Sequence, residues 1–257
     1  ALPNGEDGIY ALYGDDFTIG GTAAGAGNVI SGNAEKGIRL ASVTGATIQG
    51  NYIGVCATGA FPLPNGHQGV QLVSETTNIM LGGASSSAGN CIAYNDSYGV
   101  YVHQDASAIS IRRNSIFGHA GAFLGIKWNT PIVPAPVITG VGSVEGTSVA
   151  GATIDIFADD DDEGRLYVDT VTADGAGHWH SDADLRPFGG LNLQATATLA
   201  GNTSEFSAGT AVPASDPVWC FIMAPGGFEV ANGADVALGD LNFDGYLDVF
   251  FANSGST

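Results

Sequence analysis

Asp240, Asn242, Asp244 and Asp248 place side-chain oxygens at positions 1, 3, 5 and 9 of one short segment, with Gly245 where the chain must turn sharply. Calcium is a hard cation that takes six to eight oxygen ligands, so three carboxylates, one amide and the main-chain carbonyl of Tyr246 would nearly fill its shell. The pattern lacks the position-12 glutamate of a helix-loop-helix calcium site. The apolar runs Val236-Ala237-Leu238 and Val249-Phe250-Phe251 on either side read as strands. Ca2+ is therefore the expected cofactor, in a site that organises a turn and does no catalysis.

The first half of the chain is built to hold surfaces. Gly8-Ile9-Tyr10-Ala11, Gly37-Ile38-Arg39-Leu40, Gly69-Val70-Gln71-Leu72 and Gly99-Val100-Tyr101-Val102 recur about every 30 residues, each followed by two further short apolar runs. The runs are short, β-branched and broken by Gly and Asn at each corner, which fits strands and excludes helical repeats. One repeat is then one turn of a solenoid. Ile9, Ile38, Val70 and Val100, with Ile30, Ile53, Ile92 and Ile116, are expected to stack as its dry interior. Asn28, Asn51, Asn90 and Asn114 take matching corners, with Asn33 and Asn95 closing two turns. There, stacked amides can satisfy main-chain groups and tolerate left-handed backbone.

Strand alternation puts the residue between two inward neighbours on the outside. The outward column of the first sheet is therefore Tyr10, Arg39, Gln71 and Tyr101, with His103 one step along. Aromatic faces and a guanidinium on one flat surface could stack on a sugar chain, so an extracellular polysaccharide is an expected partner. Catalysis has weaker support and no catalytic residue is assigned. A lyase needs a base and a charge neutraliser, for which Arg39 and Lys36 are the available cations. A hydrolase needs two carboxyl groups flanking one bond, and Asp96 and Asp105 flank one strand without a partner column on the next turn. His67, His103 and His119 lie at corners one repeat apart, without the close spacing of a zinc site.

Acidic residues number 26 against 7 Lys and Arg, a net charge of −19, so no basic stripe exists to bind nucleic acid or an anionic membrane. Apolar runs are too short to span a bilayer. The 39 glycines imply many tight corners. The absence of a starting methionine or leader is expected of a processed secreted chain or an excised fragment. Cys56 and Cys91 lie one repeat apart and either pair or remain two small buried hydrophobes; Cys220 stands outside that pair.

Prolines at 131, 134 and 136 mark a change of pattern. Beyond them, Thr153-Ile154-Asp155-Ile156-Phe157, 166–171 and 191–199 alternate as longer strands with Gly-rich turns, the sign of an antiparallel sandwich. The acidic run 159–163 reads as a solvated loop between two of them, with calcium bridging of its adjacent like charges as the alternative, which no Gly-containing ligand spacing supports. A second break at Pro213 to Pro217 leads to the tail.

Three resemblances follow from these residues. The runs Ile19-Gly20-Gly21-Thr22 and Gly27-Asn28-Val29-Ile30-Ser31-Gly32-Asn33 resemble the right-handed parallel β-helix repeats of secreted bacterial surface proteins. Gly151-Ala152-Thr153-Ile154-Asp155-Ile156-Phe157, Thr172-Ala173-Asp174-Gly175-Ala176-Gly177-His178-Trp179 and Gly201-Asn202-Thr203-Ser204-Glu205-Phe206-Ser207 resemble a bacterial immunoglobulin-like domain. The segment 239–249 is similar to one FG-GAP or VCBS repeat, the calcium-binding blade motif of integrin-type propellers.

The expected fold is all-β: a short right-handed parallel β-helix (1–130), an immunoglobulin-like β-sandwich (131–213) and a calcium-loop tail (214–257). The expected function is structural or adhesive, secreted or at the cell surface. A single blade is far short of a propeller, so Val249, Phe250 and Phe251 are expected to be covered by strand addition from a neighbour, giving a homo-oligomer or filament. The alternatives are a β-helix lyase or hydrolase acting on polysaccharide and a calcium-dependent glycan-binding module.

Overall fold

The computed structural model describes residues 4–119, 125–161, 163–214, 235–239 and 248–252. The first part is a parallel β-solenoid of about four turns. Turn one carries β1 (Ile9–Leu12), β2 (Thr18–Gly20) and β3 (Val29–Ile30). Turn two carries β4 (Ile38–Ala41), β5 (Thr47–Gln49) and β6 (Tyr52–Ile53). Turn three carries β7 (Val70–Val73), β8 (Thr77–Gly82) and β9 (Cys91–Ala93). Turn four carries β10 (Val100–Val102), β11 (Ser107–Arg112) and β12 (Ser115–Phe117), and β13 (Ile126–Trp128) adds a last strand to the first sheet.

Parallel pairing in register stacks like on like. Ile9, Ile38, Val70, Val100 and Ile126 form one column, and Ile30, Ile53, Ile92 and Ile116 another. Ile19, Ile48, Leu81 and Ile111 form the third. All but Ile9 are buried, and Ile9 lies on the first turn, where nothing stacks before it among the described residues. This apolar interior is the main favourable term holding the coil together.

Two ladders of amides run along the corners. In the first, Asn28 Nδ2 donates to Asn51 Oδ1 at 3.0 Å, Asn51 to Asn90 at 2.9 Å and Asn90 to Asn114 at 2.8 Å. The second hydrogen of each later amide reaches back one turn, to the carbonyls of Ile19, Ile48 and Leu81. The second ladder links Asn4, Asn33, Asn65 and Asn95 at 2.7–2.9 Å. Buried amides are thus paired in both directions, as burial demands.

The expected left-handed backbone falls elsewhere, since none of these asparagines has a positive φ. It falls on residues beside them, such as Gly82 at φ +81°, where an added Cβ would lie 2.0 Å from the Arg112 carbonyl and 2.7 Å from Asn114 Oδ1. The ladder leaves no room there for a side chain.

After the prolines come two antiparallel sheets. One holds β14 (Val137–Gly140), β15 (Val144–Thr147) and β18 (His178–Ser181). The other holds β16 (Thr153–Asp159), β17 (Leu166–Thr172), β19 (Asn192–Leu199) and β20 (Asn202–Thr203), with β21 (Thr210–Ala211) also on β19. They enclose Ile138, Val144, Ile154, Ile156, Ala158, Trp179, Leu193, Ala195 and Ala197. A separate unit, residues 215–257, contributes the antiparallel pair β22 (Asp235–Gly239) and β23 (Asp248–Ala252).

Residues 1–214 form one compact unit because the second sheet closes the last solenoid turn. The main-chain N–H groups of Ile109 and Ile111 on β11 donate to Asn202 Oδ1 (3.3 Å) and Thr203 Oγ1 (2.8 Å). On β12, Ile116 and Gly164 exchange a pair of main-chain bonds at 3.0 and 2.8 Å. On β13, the Trp128 N–H reaches Glu205 Oε1 at 2.9 Å. Each of the three strands of the final turn therefore makes at least one main-chain hydrogen bond to the capping part, and Phe206 packs on the solenoid core. Capping is what an open edge requires to avoid pairing with another chain.

Candidate functional site

The first sheet, in the order β1, β4, β7, β10 and β13, carries the outward column in register: Tyr10 beside Arg39, Arg39 beside Gln71, Gln71 beside Tyr101, and Tyr101 beside Lys127. Each rung follows the last by one strand spacing, about 4.8 Å. Tyr10 is half exposed, and the others lie partly exposed along the same face. The Arg39 guanidinium lies over the Tyr10 ring, 4.9 Å from its centroid, a geometry in which the ring quadrupole attracts the cation. Tyr101 stacks on Tyr98 with centroids 5.9 Å apart. His103 lies just past β10, with Nδ1 3.1 Å from Asp105 Oδ2. Lys127 is a fifth rung that the Gly125-Ile126-Lys127 repeat carries in the sequence, and it bonds Glu205 at 3.0 Å.

The corner before this sheet gathers charges that sequence spacing does not pair. Lys36 Nζ lies 2.7 Å from Glu35 Oε2 and 3.9 Å from Asp7 Oδ1, and His67 Nε2 lies 3.6 Å from Glu35. The Lys36 ammonium holds the Glu35 carboxyl below the usual range. Both cations considered as a lyase base are thus engaged, Lys36 by Glu35 and Arg39 by the Tyr10 ring.

A chain of Ser143 Oγ, His180 Nδ1 (3.2 Å), His180 Nε2 and Asp182 Oδ1 (2.9 Å) also emerges on the sandwich. These are the residue types of nucleophilic catalysis, but the Asp182 side chain is 99% exposed, so water competes for the bonds that would orient the imidazole.

At the junction of solenoid and sandwich, Arg112 makes a two-pronged ion pair with Asp155, Nε to Oδ2 at 2.7 Å and an outer nitrogen to Oδ1 at 2.6 Å. Asp155 is fully buried, and its hydrogen bonds push the Arg112 pKa upward. The second amide ladder ends on His119. Asn95 Nδ2 faces its Nε2 at 3.4 Å, and its Nδ1 meets Glu163 Oε1 at 2.7 Å.

The acidic run beside Glu163 departs from the solvated loop expected of it, because Asp159 and Glu163 are buried while Asp160 and Asp161 are exposed. One carboxylate oxygen from each of Asp159, Asp160 and Asp161 lies within 4.8 Å of the others. Burial, reinforced by these neighbours, pushes Asp159 up to about 7.

Of the expected calcium ligands, Asp240, Asn242, Asp244 and Tyr246 lie outside the described residues. Asp248 opens β23, opposite Gly239 on β22. Val249, Phe250 and Phe251 pair with Leu238, Ala237 and Val236. Cys56 and Cys91 are free thiols; Thr58 holds the first at about 7 and burial pushes the second up to about 11. No helix is long and apolar enough to cross a membrane among the described residues. Comparison of the chain with family models, with curated proteins and with solved structures gave no match.

Proposed function

We propose that this chain is a non-catalytic structural or adhesive module of the cell exterior, whose rigid solenoid presents the first-sheet face to an extended polysaccharide. The observation that carries this reading is the in-register column of Tyr10, Arg39, Gln71, Tyr101 and Lys127. A flat row of aromatic and hydrogen-bonding groups suits a repeating sugar chain, which offers apolar ring faces and hydroxyls at regular intervals. Engagement of Arg39 and Lys36 as cations favours binding over elimination chemistry.

The finer architecture belongs to the same proposal. The solenoid is a right-handed β-helix, the capping sheets are an immunoglobulin-like sandwich over 131–213, and the tail is an FG-GAP-like calcium loop ligated by Asp240, Asn242, Asp244, Tyr246 and Asp248. The β22–β23 pair is only two strands wide, so the outer edge of β23 is free for strand addition by a second copy, through Val249, Phe250 and Phe251, among the described residues.

Glycan-array binding tests the face. Binding to at least one polysaccharide, lost in a chain carrying Tyr10→Ala and Tyr101→Ala with an unchanged circular dichroism spectrum, supports it. Silence across the array, or binding indifferent to both changes, refutes it. Release of reducing ends or of unsaturated products would instead place the chain among the polysaccharide-active enzymes.

A further inference from the structure

The corner between the second and third sheets of the solenoid holds a cavity of about 340 Å3, on a different side of the coil from the first-sheet face. Turn two contributes Tyr52 to its lining, turn three Ser86, Ser87 and Cys91, and turn four Arg113 and Ser115. Small-molecule sites run from roughly 300 to 1,000 Å3. The chain has 26 acidic residues, yet none is among the described residues that line this cavity.

The charge balance around it is locally positive. Arg113 donates through Nε and Nη2 to Thr170 Oγ1 at 3.2 and 3.0 Å and lies over the Tyr167 ring, 4.6 Å from its centroid. Thr170 in turn donates to Asp155, but that carboxylate is already held by Arg112, so two guanidinium groups share one negative charge. Among the described residues Arg113 makes no ion pair of its own, and its Nη1 makes no hydrogen bond. Arg165, over the Phe117 ring, also lacks an ion pair among the described residues, and its charge acts on the Cys91 thiol. Burial still pushes that thiol up to about 11, so near neutral pH it adds no negative charge to the lining. A guanidinium without a counter-charge, lining a cavity in a chain of net charge −19, calls for an anion from outside.

Neutral groups suited to the rest of such a ligand stand beside Arg113. Ser86 is exposed and its hydroxyl makes no hydrogen bond among the described residues. Ser115 Oγ spends its hydrogen on the Arg165 carbonyl at 2.7 Å and keeps lone pairs to accept another. Tyr52 adds a partly exposed aromatic ring. We propose that this cavity binds a sugar carrying a carboxylate or a sulfate. Arg113 takes the anionic oxygens, Ser86 and Ser115 take hydroxyls, and Tyr52 packs on the sugar ring.

The test uses the full chain carrying Tyr10→Ala and Tyr101→Ala, so that binding on the first-sheet face is not what is measured. Calorimetric titration with glucuronate and with glucose 6-sulfate should show one site for at least one of them, and the tighter of the two names the anionic group. Neutral glucose should not bind. Adding Ser87→Asp puts a carboxylate into the lining at an exposed residue whose hydroxyl meets only Ser85, so the junction stays intact. That change should weaken binding about tenfold or more by like-charge repulsion, and Arg113→Gln should do the same. Absence of binding by both charged sugars overturns the proposal, as does binding indifferent to Ser87→Asp. Equal binding of glucose overturns the role of Arg113, and inorganic sulfate binding as tightly as the sulfated sugar overturns the assignment of a sugar.

Discussion

His119 Nδ1 lies 2.7 Å from Glu163 Oε1, and the Glu163 carboxylate also accepts the His119 main-chain N–H at 3.2 Å. One side chain of the capping sandwich thereby terminates a ladder that began 115 residues earlier at Asn4. The cap thus meets the end of this ladder as well as the apolar stack.

Glu163→Ala should loosen the cap by about 1–3 kcal/mol, the cost of stranding buried donors. Glu163→Gln keeps an acceptor of the same shape and should cost less. Chemical denaturation of the two variants checks the order, and hydrogen exchange at Ile116 should accelerate in the alanine variant first.

Asp155→Ala should be more severe, at about 3–5 kcal/mol, because it leaves the largely buried Arg112 guanidinium without its partner. Thermal unfolding measures the loss. Replacing both residues by apolar side chains of similar volume should recover much of it, since the pair's desolvation is then avoided as well.

Gly82→Ala should destabilise the solenoid by more than the 1–2 kcal/mol or so of a left-handed alanine, because its Cβ would also meet the Arg112 carbonyl. Gly175→Ala, on an open turn with nothing within 4 Å, is the control and should be near neutral.

Stability without calcium should fall as pH rises. Asp159 titrates at an ordinary 3.8 when unfolded and at about 7 when folded, so the folded state binds the extra proton between those values. By linkage, ionising this buried carboxylate removes stability progressively from about pH 4 to about pH 7, with no further change from this group above that. The Asp159→Asn chain should show a flatter profile over the same window. Denaturation midpoints in chelator across that range provide the measurement.

The repeat made the solenoid legible. Gly-Ile-x-Leu runs at regular spacing reveal period-two burial, and the columns Ile38, Val70 and Val100 or Ile53, Ile92 and Ile116 follow from stacking one repeat on the next. The outward column from Tyr10 to Tyr101 was legible for the same reason. The second ladder was half legible, since Asn33, Asn95 and His119 each follow a first-ladder asparagine by the same five residues. The extra residues between Asn51 and Asn65 hid the remaining rung.

What the sequence by itself determined is whatever repeats or lies close along the chain: strand type, inward and outward faces, the amide corners and the spacing of the tail carboxylates. Only the tertiary structure decided what meets across long separations. Arg112 finds Asp155, His119 finds Glu163, and Gln194 turns its amide to the acidic loop, each partner lying on a strand or loop of different period. Periodicity is a local property of one element, whereas these contacts depend on how the sandwich docks on the last turn. That docking is governed by which exposed main-chain groups must be satisfied, and no spacing within either element encodes it.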